Sequence, residues 1–301
     1  MDDNLRRAAL PSGIELAHET FGDPGDPPLL LVMGLGTQMI GWPDPFCTSL
    51  AEAGLHVIRF DNRDVGGSTH LHDAGAPDVM AALGGDASSA SYTLSDMAAD
   101  TVGLLDHLEL DSAHVVGASM GGMIAQTVAI EHPDRVRSLT SIMSSTGDRG
   151  VGQPTPAGMG ALLTPPASTR EEAVDRTLAV FRVIGSPGYP LDEDALRARA
   201  ELSYDRAHDP DGVSRQLVAV LASGDRTARL GDVRVPTLVI HGADDPLVEP
   251  SGAHATAAAI PHAELALIDG MGHELPAALW PQVVARIAAL VERAEQARAT
   301  A

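Results

Sequence analysis

The chain has 301 residues, and its 41 acidic residues outnumber its 20 basic ones, for a formal net charge of −21. This charge excludes electrostatic attraction to nucleic acid or to anionic membranes, while a hydrophobic content of 44% supports a sizeable core in one large α/β domain or two small ones. Every basic residue is arginine, which excludes mechanisms that need a lysine Schiff base or a phosphate-loop lysine.

A single cysteine, Cys47, excludes an internal disulfide and a zinc site built from a cysteine cluster. With no other metal-ligand cluster evident, we expect no structural metal and no cofactor. The acidic segment 1–4 lacks the apolar run of a secretory signal, and no stretch has the length of a membrane span. We therefore expect a soluble cytoplasmic protein; its oligomeric state stays open between monomer and homodimer.

Strand and helix patterns alternate through the first half of the chain. Two weak strands are predicted at 8–10 and 14–19. Short apolar runs bounded by Pro and Gly predict buried strands at 29–33, 56–60, 114–116 and 136–143. Apolar periodicity predicts helices at 45–53, 95–108 and 120–130, with Ser95 as the N-cap of the second. Residues 71–92, rich in Ala, Gly, Ser and Asp, are predicted to be irregular.

The alternation stops after residue 147. Residues 148–230 contain helical patterns at 170–184 and 193–202 but no clear strand. Strand and helix patterns then return at 235–240, 251–260, 263–268 and 279–294. We predict an α/β fold with a mainly parallel, doubly wound, eight-stranded sheet. Its core domain would comprise 1–147 and 231–301, and 148–230 would form a helical cap inserted before the strand at 235–240, over the sheet edge where such folds bind ligands.

The segment Gly117-Ala118-Ser119-Met120-Gly121 lies between a predicted buried strand and a predicted helix. In that context G-x-S-x-G describes a nucleophile elbow, a strained turn that exposes a serine at the sheet edge. Ser119 is therefore the predicted nucleophile. A hydroxyl is a poor nucleophile at neutral pH and needs a positioned base.

The predicted base is His273, in a glycine-rich turn after a strand at the same sheet edge. His241 also ends a strand, but a partner carboxylate is harder to place for it. The orienting acid should follow a strand between the serine and the histidine in chain order. Asp245 fits that position; Asp244 beside it and Asp148, after the strand at 136–143, remain alternatives.

The oxyanion hole needs two backbone N–H groups. One is expected from Met120, directly after the nucleophile. The other is expected from the loop after the strand at 29–33, with Leu35 as the donor. A substrate pocket between sheet and cap is predicted to be lined by small and adaptable apolar residues, namely Gly34, Met39, Trp42, Met120, Met143, Met159, Phe181 and Met271.

With these residues in place, the chain resembles the α/β-hydrolase superfamily over nearly its full length. The supporting segments include 59–68, 117–122, 236–248 and 270–273. Within the superfamily it looks most like the aclacinomycin methylesterases of anthracycline biosynthesis, through Leu31-Val32-Met33-Gly34, Gly41-Trp42-Pro43-Asp44, the stretch at 55–59 and the turn at 270–273. It departs from the commonest superfamily pattern, which has His-Gly at the oxyanion loop, because Met33 precedes Gly34 here.

The resemblance implies a carboxylic ester hydrolase that works through an acyl-enzyme intermediate on a small-molecule ester. A bulky apolar or aromatic, polyketide-like methyl ester is the expected substrate. A cofactor-free perhydrolase, often labelled a haloperoxidase, and a carbon–carbon bond hydrolase keep the same three residues and remain alternatives. A ligand-binding protein without turnover is a more distant one.

Overall fold

The computed structural model of the protein describes residues 5–300. The acidic segment 1–4, on which the expectation of no secretory signal rests, lies outside the described residues. Eight strands form one sheet: β1 (Arg6–Ala9), β2 (Glu15–Phe21), β3 (Pro28–Val32), β4 (His56–Phe60), β5 (Ala113–Ala118), β6 (Val136–Ile142), β7 (Thr237–Gly242) and β8 (Glu264–Ile268).

Eleven helices are found in the same part of the chain: α1 (Asp44–Glu52), α2 (Val79–Leu83), α3 (Leu94–His107), α4 (Met120–Glu131), α5 (Pro156–Leu162), α6 (Arg170–Ile184), α7 (Glu193–Arg206), α8 (Pro210–Ser223), α9 (Thr227–Leu230), α10 (Ser251–Ala259) and α11 (Trp280–Ala299). None of the helices in residues 5–300 combines the length and the apolar character needed to cross a membrane.

The strand order is β1-β2-β4-β3-β5-β6-β7-β8. The two pairings of β2, with β1 and with β4, are antiparallel, and all the other pairings are parallel. The central strands β3, β4 and β5 are buried along their whole length because helices cover both faces of the sheet. The predicted eight-stranded, mainly parallel sheet is confirmed.

Each face of the sheet has its own apolar core. One core packs α3 and α4 against β3 and β5, and it includes Leu30, Leu105 and Ile124. The other packs α1 and α11 against the opposite face, and it includes Leu31 and Ile287. Successive residues of β3 thus point to different cores, as the two-residue period of a strand requires.

Two local predictions were wrong. The N-cap of α3 is Thr93, which forms a capping box with Asp96, while Ser95 lies inside the first turn and donates to Glu131 at 2.9 Å. In a capping box the N-cap side chain binds the backbone N–H three residues later, and the acidic side chain there binds the N-cap N–H. Thr93 has such a partner in Asp96. The segment predicted to be irregular contains α2, which begins after Asp78, whose side chain accepts the Ala81 N–H at 2.9 Å.

Between β6 and β7 the chain forms α5 to α9 and no strand; all of these residues are described. We call residues 148–230 the helical insertion. Within it α6 and α7 pack through a small apolar cluster of Val174, Leu178, Leu196 and Ala200. The insertion therefore brings little core of its own and rests on loops at the carboxyl ends of the parallel strands.

Candidate active site

Ser119 occupies a sharp turn between β5 and α4. Its backbone has φ 57° and ψ −122°, a conformation that costs a residue with a side chain about 1–3 kcal/mol. The turn is held by a hydrogen bond from the Ser119 N–H to Ile142 O at 2.8 Å. A Cβ on Gly121 would lie 2.1 Å from Val32 O. The second glycine of the motif is therefore required by the close approach of α4 to β3.

Three residues from distant parts of the chain meet at this turn. The Ser119 hydroxyl donates to His273 Nε2 at 3.0 Å, and His273 Nδ1–H donates to Asp245 Oδ2 at 2.7 Å. These two bonds require a neutral imidazole with its proton on Nδ1. The structure thus joins the predicted nucleophile, base and acid in one hydrogen-bonded chain.

Asp245 follows β7 and is 3% exposed. Its Oδ1 accepts the N–H groups of Leu247 at 2.8 Å and Val248 at 2.9 Å. Burial opposes ionisation of this carboxyl, but its electrostatic interaction with the His273 ring and hydrogen bonds from His241, His273 and Val248 hold its pKa well below the usual range. Asp245 is therefore ionised at neutral pH and can stabilise a positive charge on the imidazole.

The helical insertion holds the histidine loop in place. The His273 N–H donates to Ile184 O, the last residue of α6, at 2.7 Å. The N–H of Gly272 donates to Ser186 Oγ at 2.9 Å. The position of the ring therefore depends on packing between the insertion and the sheet.

The two alternative acids have other partners. Asp244 Oδ2 accepts the Gly270 N–H at 2.8 Å, and Asp148 Oδ1 accepts the Gly150 N–H at 2.8 Å. Neither carboxylate contacts His273 within the described residues. Asp148 makes a local turn, as short acidic side chains often do, whereas Asp244 joins the loop after β7 to the glycine-rich loop that carries His273.

His241, weighed above as a possible base, lies on the far side of Asp245. Its Nε2 is 2.7 Å from Val248 O and 3.3 Å from Asp245 Oδ2. The side chain is fully buried, and its Nδ1 has no partner within residues 5–300. His241 therefore helps hold the acid and does not reach Ser119. This contact was not predicted, although the four-residue spacing of His241 and Asp245 at a strand end was a signal for it.

Two backbone N–H groups beside Ser119, those of Met120 and Leu35, have no acceptor within the described residues. Met120 begins α4, so its N–H is one of the donors that a helix leaves unused at its N-terminus. Leu35 lies in the loop after β3. A Cβ on its neighbour Gly34 would come 3.1 Å from Ser119 Cβ, so this loop passes directly against the serine.

The loop containing Leu35 is fixed by a side chain that the sequence analysis missed. The N–H of Gly36 donates to Gln216 Oε1 at 2.8 Å, and Gln216 Nε2 donates to Arg63 O at 2.7 Å. Gln216 is fully buried on α8, within the insertion. No sequence signal could have found a bond between residues 180 apart.

A mainly apolar cavity of about 1590 Å³ lies between the sheet edge and the insertion, and Ser119 and His273 are in its wall. This exceeds the roughly 300–1,000 Å³ of common ligand pockets. Most residues predicted to line it do so: Gly34, Trp42, Met120, Met143, Met159 and Phe181.

The prediction was wrong for Met39 and Met271. Both are fully buried and lie outside the cavity wall. The Met39 N–H is bound to Asp61 Oδ1 at 2.6 Å, and Met271 packs in the core on the α11 side of the sheet. Methionine fills irregular gaps in cores as readily as it lines pockets.

Cys47 is expected to be unreactive in the folded protein. It is fully buried in α1, and burial raises the pKa of its thiol to about 12. The thiolate is the reactive form, so a disulfide reagent at pH 8 should modify no thiol in the native protein and one after denaturation. Prior incubation with the reagent should also leave hydrolysis unchanged. Rapid modification of the native protein would contradict this placement.

A family model described as alpha/beta hydrolase fold matches residues 27–276. The chain belongs to the α/β-hydrolase fold family. This α/β hydrolase is 32% identical over 295 residues to rhodomycin D methylesterase of Streptomyces peucetius, an alignment that covers 92% of this chain and 94% of the relative. The predicted resemblance to methylesterases of this fold is confirmed, and the chain is an enzyme, a hydrolase of the esterase type.

Other relatives of this α/β hydrolase act on different compounds. It is 30% identical over 172 residues to a 2-hydroxy-6-oxononadienedioate/2-hydroxy-6-oxononatrienedioate hydrolase of Cupriavidus pinatubonensis, covering 57% of this chain and 59% of the relative. Among solved structures, a hydrolase from Pseudomonas aeruginosa PA01 is similar, with a TM-score of 0.71, 26% identity and coverage of 95% of this chain and 98% of that one.

Proposed function

We propose that the protein is a carboxylic ester hydrolase with Ser119 as nucleophile, His273 as general base and Asp245 as the orienting acid. The observation that carries this proposal is the unbroken hydrogen-bonded chain from Ser119 Oγ through the imidazole to an ionised, buried carboxylate, in the wall of a large cavity. A serine with only a structural role at a strand–helix turn would not require the His273 imidazole or the Asp245 carboxylate.

The geometry suits acyl transfer. Ser119 Oγ attacks the ester carbonyl as its proton passes to His273 Nε2, and Asp245 stabilises the imidazolium that forms. The N–H groups of Met120 and Leu35 bind the oxyanion. The intermediate then collapses, and the alcohol leaves with the proton from His273. Water, activated by the same imidazole, releases the acid from the acyl-enzyme.

We further propose that residues 148–230 act as a cap domain over a core of 1–147 and 231–301. The insertion supplies Met159 and Phe181 to the cavity wall, and the core supplies Trp42 and Met143. A cavity this large and apolar suits a bulky aromatic ester. The relative named rhodomycin D methylesterase supports a polyketide-like methyl ester as the substrate class.

The experiment is a comparison of kcat/KM across a panel of esters. It should contain p-nitrophenyl acetate, simple methyl esters and methyl esters of polycyclic aromatic acids. We expect the polycyclic methyl esters to give the highest kcat/KM. Equal values for small and large acyl groups would contradict the proposed substrate class and leave the esterase proposal in place.

One observation favours a second candidate, hydrolysis of a carbon–carbon bond. Arg199 and Arg176 line the cavity, and neither has an ion pair within 4 Å in the described chain, although the Glu274 carboxylate acts on Arg199 from a longer distance. Arg176 Nε is buried without a partner there. Such guanidinium groups suit a substrate carboxylate, and the dioate named for one relative has two carboxylates and no ester bond.

The same panel separates the two candidates when a 2-hydroxy-6-oxo-dienoate is added. Its hydrolysis has to break a carbon–carbon bond, because the compound has no ester. A kcat/KM for this compound above that of every ester would replace the first proposal with the second. Arg199→Met should then raise KM for the dienoate and leave KM for neutral esters unchanged.

Gln216→Met is expected to lower kcat about tenfold with little change in KM. The apolar isostere leaves the Gly36 N–H without its acceptor, so the loop that carries the Leu35 donor loses its support. Losing an oxyanion donor outright costs about 10²- to 10³-fold in kcat, and misplacing one should cost less. The measurement is steady-state kinetics with the preferred ester, with Gln296→Met, an exposed change on α11, as control. A rise in KM alone would contradict a role at the oxyanion loop.

A further inference from the structure

A second group of polar side chains lies away from Ser119, where the loop after β4 meets the start of α8. His70 Nδ1 is 2.7 Å from Asp209 Oδ2, and His72 Nδ1 is 3.7 Å from the same oxygen. The three ligand atoms all lie within 4.8 Å of one another. They border a small cavity of about 420 Å³, and His70 and Asp209 also line the large cavity that contains Ser119.

We propose that His70, His72 and Asp209 form a binding site for a divalent zinc ion. Two imidazole nitrogens and one carboxylate oxygen, with a water in the fourth position, are a donor set that zinc takes in tetrahedral geometry. With bonds of about 2.0–2.1 Å, neighbouring ligand atoms in such a site stand roughly 3.3 Å apart. The present spacings bracket this value.

The second ring nitrogen of His70 supports the assignment. His70 Nε2 lies 3.1 Å from Gly66 O, and without a metal ion the Nδ1–H of His70 donates to Asp209 Oδ2 at 2.7 Å. Metal-bound histidines almost always donate their other N–H to a carbonyl or carboxylate, which fixes the tautomer and the ring orientation. A zinc ion on the Asp209 side would displace the proton from Nδ1, and the ring N–H would then be on Nε2, facing the Gly66 carbonyl.

The Asp209 carboxylate is held in place before any ion binds. It is the N-cap of α8, with Oδ1 accepting the Gly212 N–H at 3.0 Å. Arg215 lies 3.2 Å from Oδ2, and it would repel a cation if its charge were unbalanced.

That charge is already balanced. The three arginines at or beside the cluster each have a carboxylate of their own: Arg7 with Glu15 at 2.6 Å, Arg206 with Asp61 at 2.8 Å and Arg215 with Asp64 at 2.8 Å. Arg215 thus divides its charge between Asp64 and Asp209, and a metal ion would take over the Asp209 Oδ2 contact while Arg215 keeps Asp64.

The third ligand can move into place. The His72 side chain is 73% exposed, and its ring stacks on that of His70 with centroids 5.4 Å apart. Its only ion-pair partner within the described residues is Asp209 itself. Rotation of an exposed side chain costs little, so His72 can turn its Nδ1 toward an ion held by the other two ligands.

A bound ion would connect the two parts of the fold. His70 and His72 belong to the core loop, and Asp209 begins a helix of the insertion that also carries Gln216. Zinc would therefore tie the start of α8 to the sheet. Because binding favours only the folded arrangement of these ligands, it should stabilise the native protein.

The experiment is calorimetric titration of the untagged, chelator-treated full chain with zinc chloride. We expect one ion per chain, with a dissociation constant in the micromolar range or below. His72→Ala should weaken binding at least tenfold, and Asp209→Asn, which keeps an N-cap residue, should do the same. His254→Ala, an exposed histidine on α10, is the matched control and should bind like the wild type.

Thermal unfolding gives an independent readout. Zinc at about a hundred times its dissociation constant should raise the Tm of the wild type by roughly 3 °C or more, and it should not raise that of His72→Ala. Equal affinity in the wild type and His72→Ala would overturn the proposal, as would the absence of binding below about 100 µM. Loss of binding in His254→Ala would also overturn it by placing the ion elsewhere. None of these outcomes depends on ester hydrolysis.

Discussion

Replacing Ser119 by alanine is expected to lower kcat for the preferred ester by at least about 10⁴-fold, to the level that the oxyanion donors and binding alone support. The variant loses the only hydroxyl that is bonded to His273 in the described structure. KM should change little because the cavity wall is otherwise intact. Steady-state kinetics of both proteins on the same ester is the measurement.

Ser145→Ala is the matched control, since this serine also lines the cavity but has no bond to His273. It should keep kcat within a few-fold of the wild type. A fluorophosphonate probe should label the wild type and Ser145→Ala at one site and leave Ser119→Ala unlabelled. Full activity in Ser119→Ala, or labelling at another serine, would contradict the proposal that Ser119 is the nucleophile.

Asp245→Asn is expected to lower kcat by about 10⁴-fold near neutral pH, the size of effect known for removing the charge of such an acid. An amide cannot stabilise the imidazolium, and its NH₂ group can hold the His273 ring in the wrong tautomer. The controls are Asp148→Asn, whose carboxylate accepts a bond from its own turn, and Asp244→Asn, whose carboxylate accepts the Gly270 N–H of the histidine loop without contacting His273. A larger loss in either control would reassign the acid.

The same substitution should change how stability depends on pH. Because the pKa of Asp245 lies below its usual range in the folded protein, the folded state binds fewer protons there than the unfolded chain. The ionised carboxylate thus contributes stability above the ordinary aspartate pKa of about 3.9, and this contribution is lost as the pH falls through the folded value.

The measurement is the free energy of unfolding in urea, for the wild type and Asp245→Asn, at several pH values between about 7 and 3. The difference between the two proteins should be largest near neutral pH and should shrink toward the acid end. A difference that grows as the pH falls would show that the carboxylate is not ionised in the folded state.

Much of this fold could be predicted because its signals are local. The buried strands β3 to β7 are short apolar runs. The helices that alternate with them have a 3.6-residue apolar period. The turn at Ser119 depends on its own glycines, and the chain order of serine, acid and histidine follows from the strand ends. The N-cap of α3 is an exception: the local pattern predicts Ser95, and the structure has Thr93, because the N-cap depends on which side chain finds a partner.

The contacts that complete the site are between residues far apart in sequence. Gln216 reaches Gly36 across 180 residues, and Asp209 reaches His70 across 139. Met39 and Met271 are of a residue type that often lines pockets, yet their side chains are buried in the core. Local patterns were enough to predict the sheet, the elbow and the identities of nucleophile, base and acid. The contacts of the insertion could not be predicted, because the energy of a long-range contact depends on the packing of the whole chain and leaves no periodic trace in either segment.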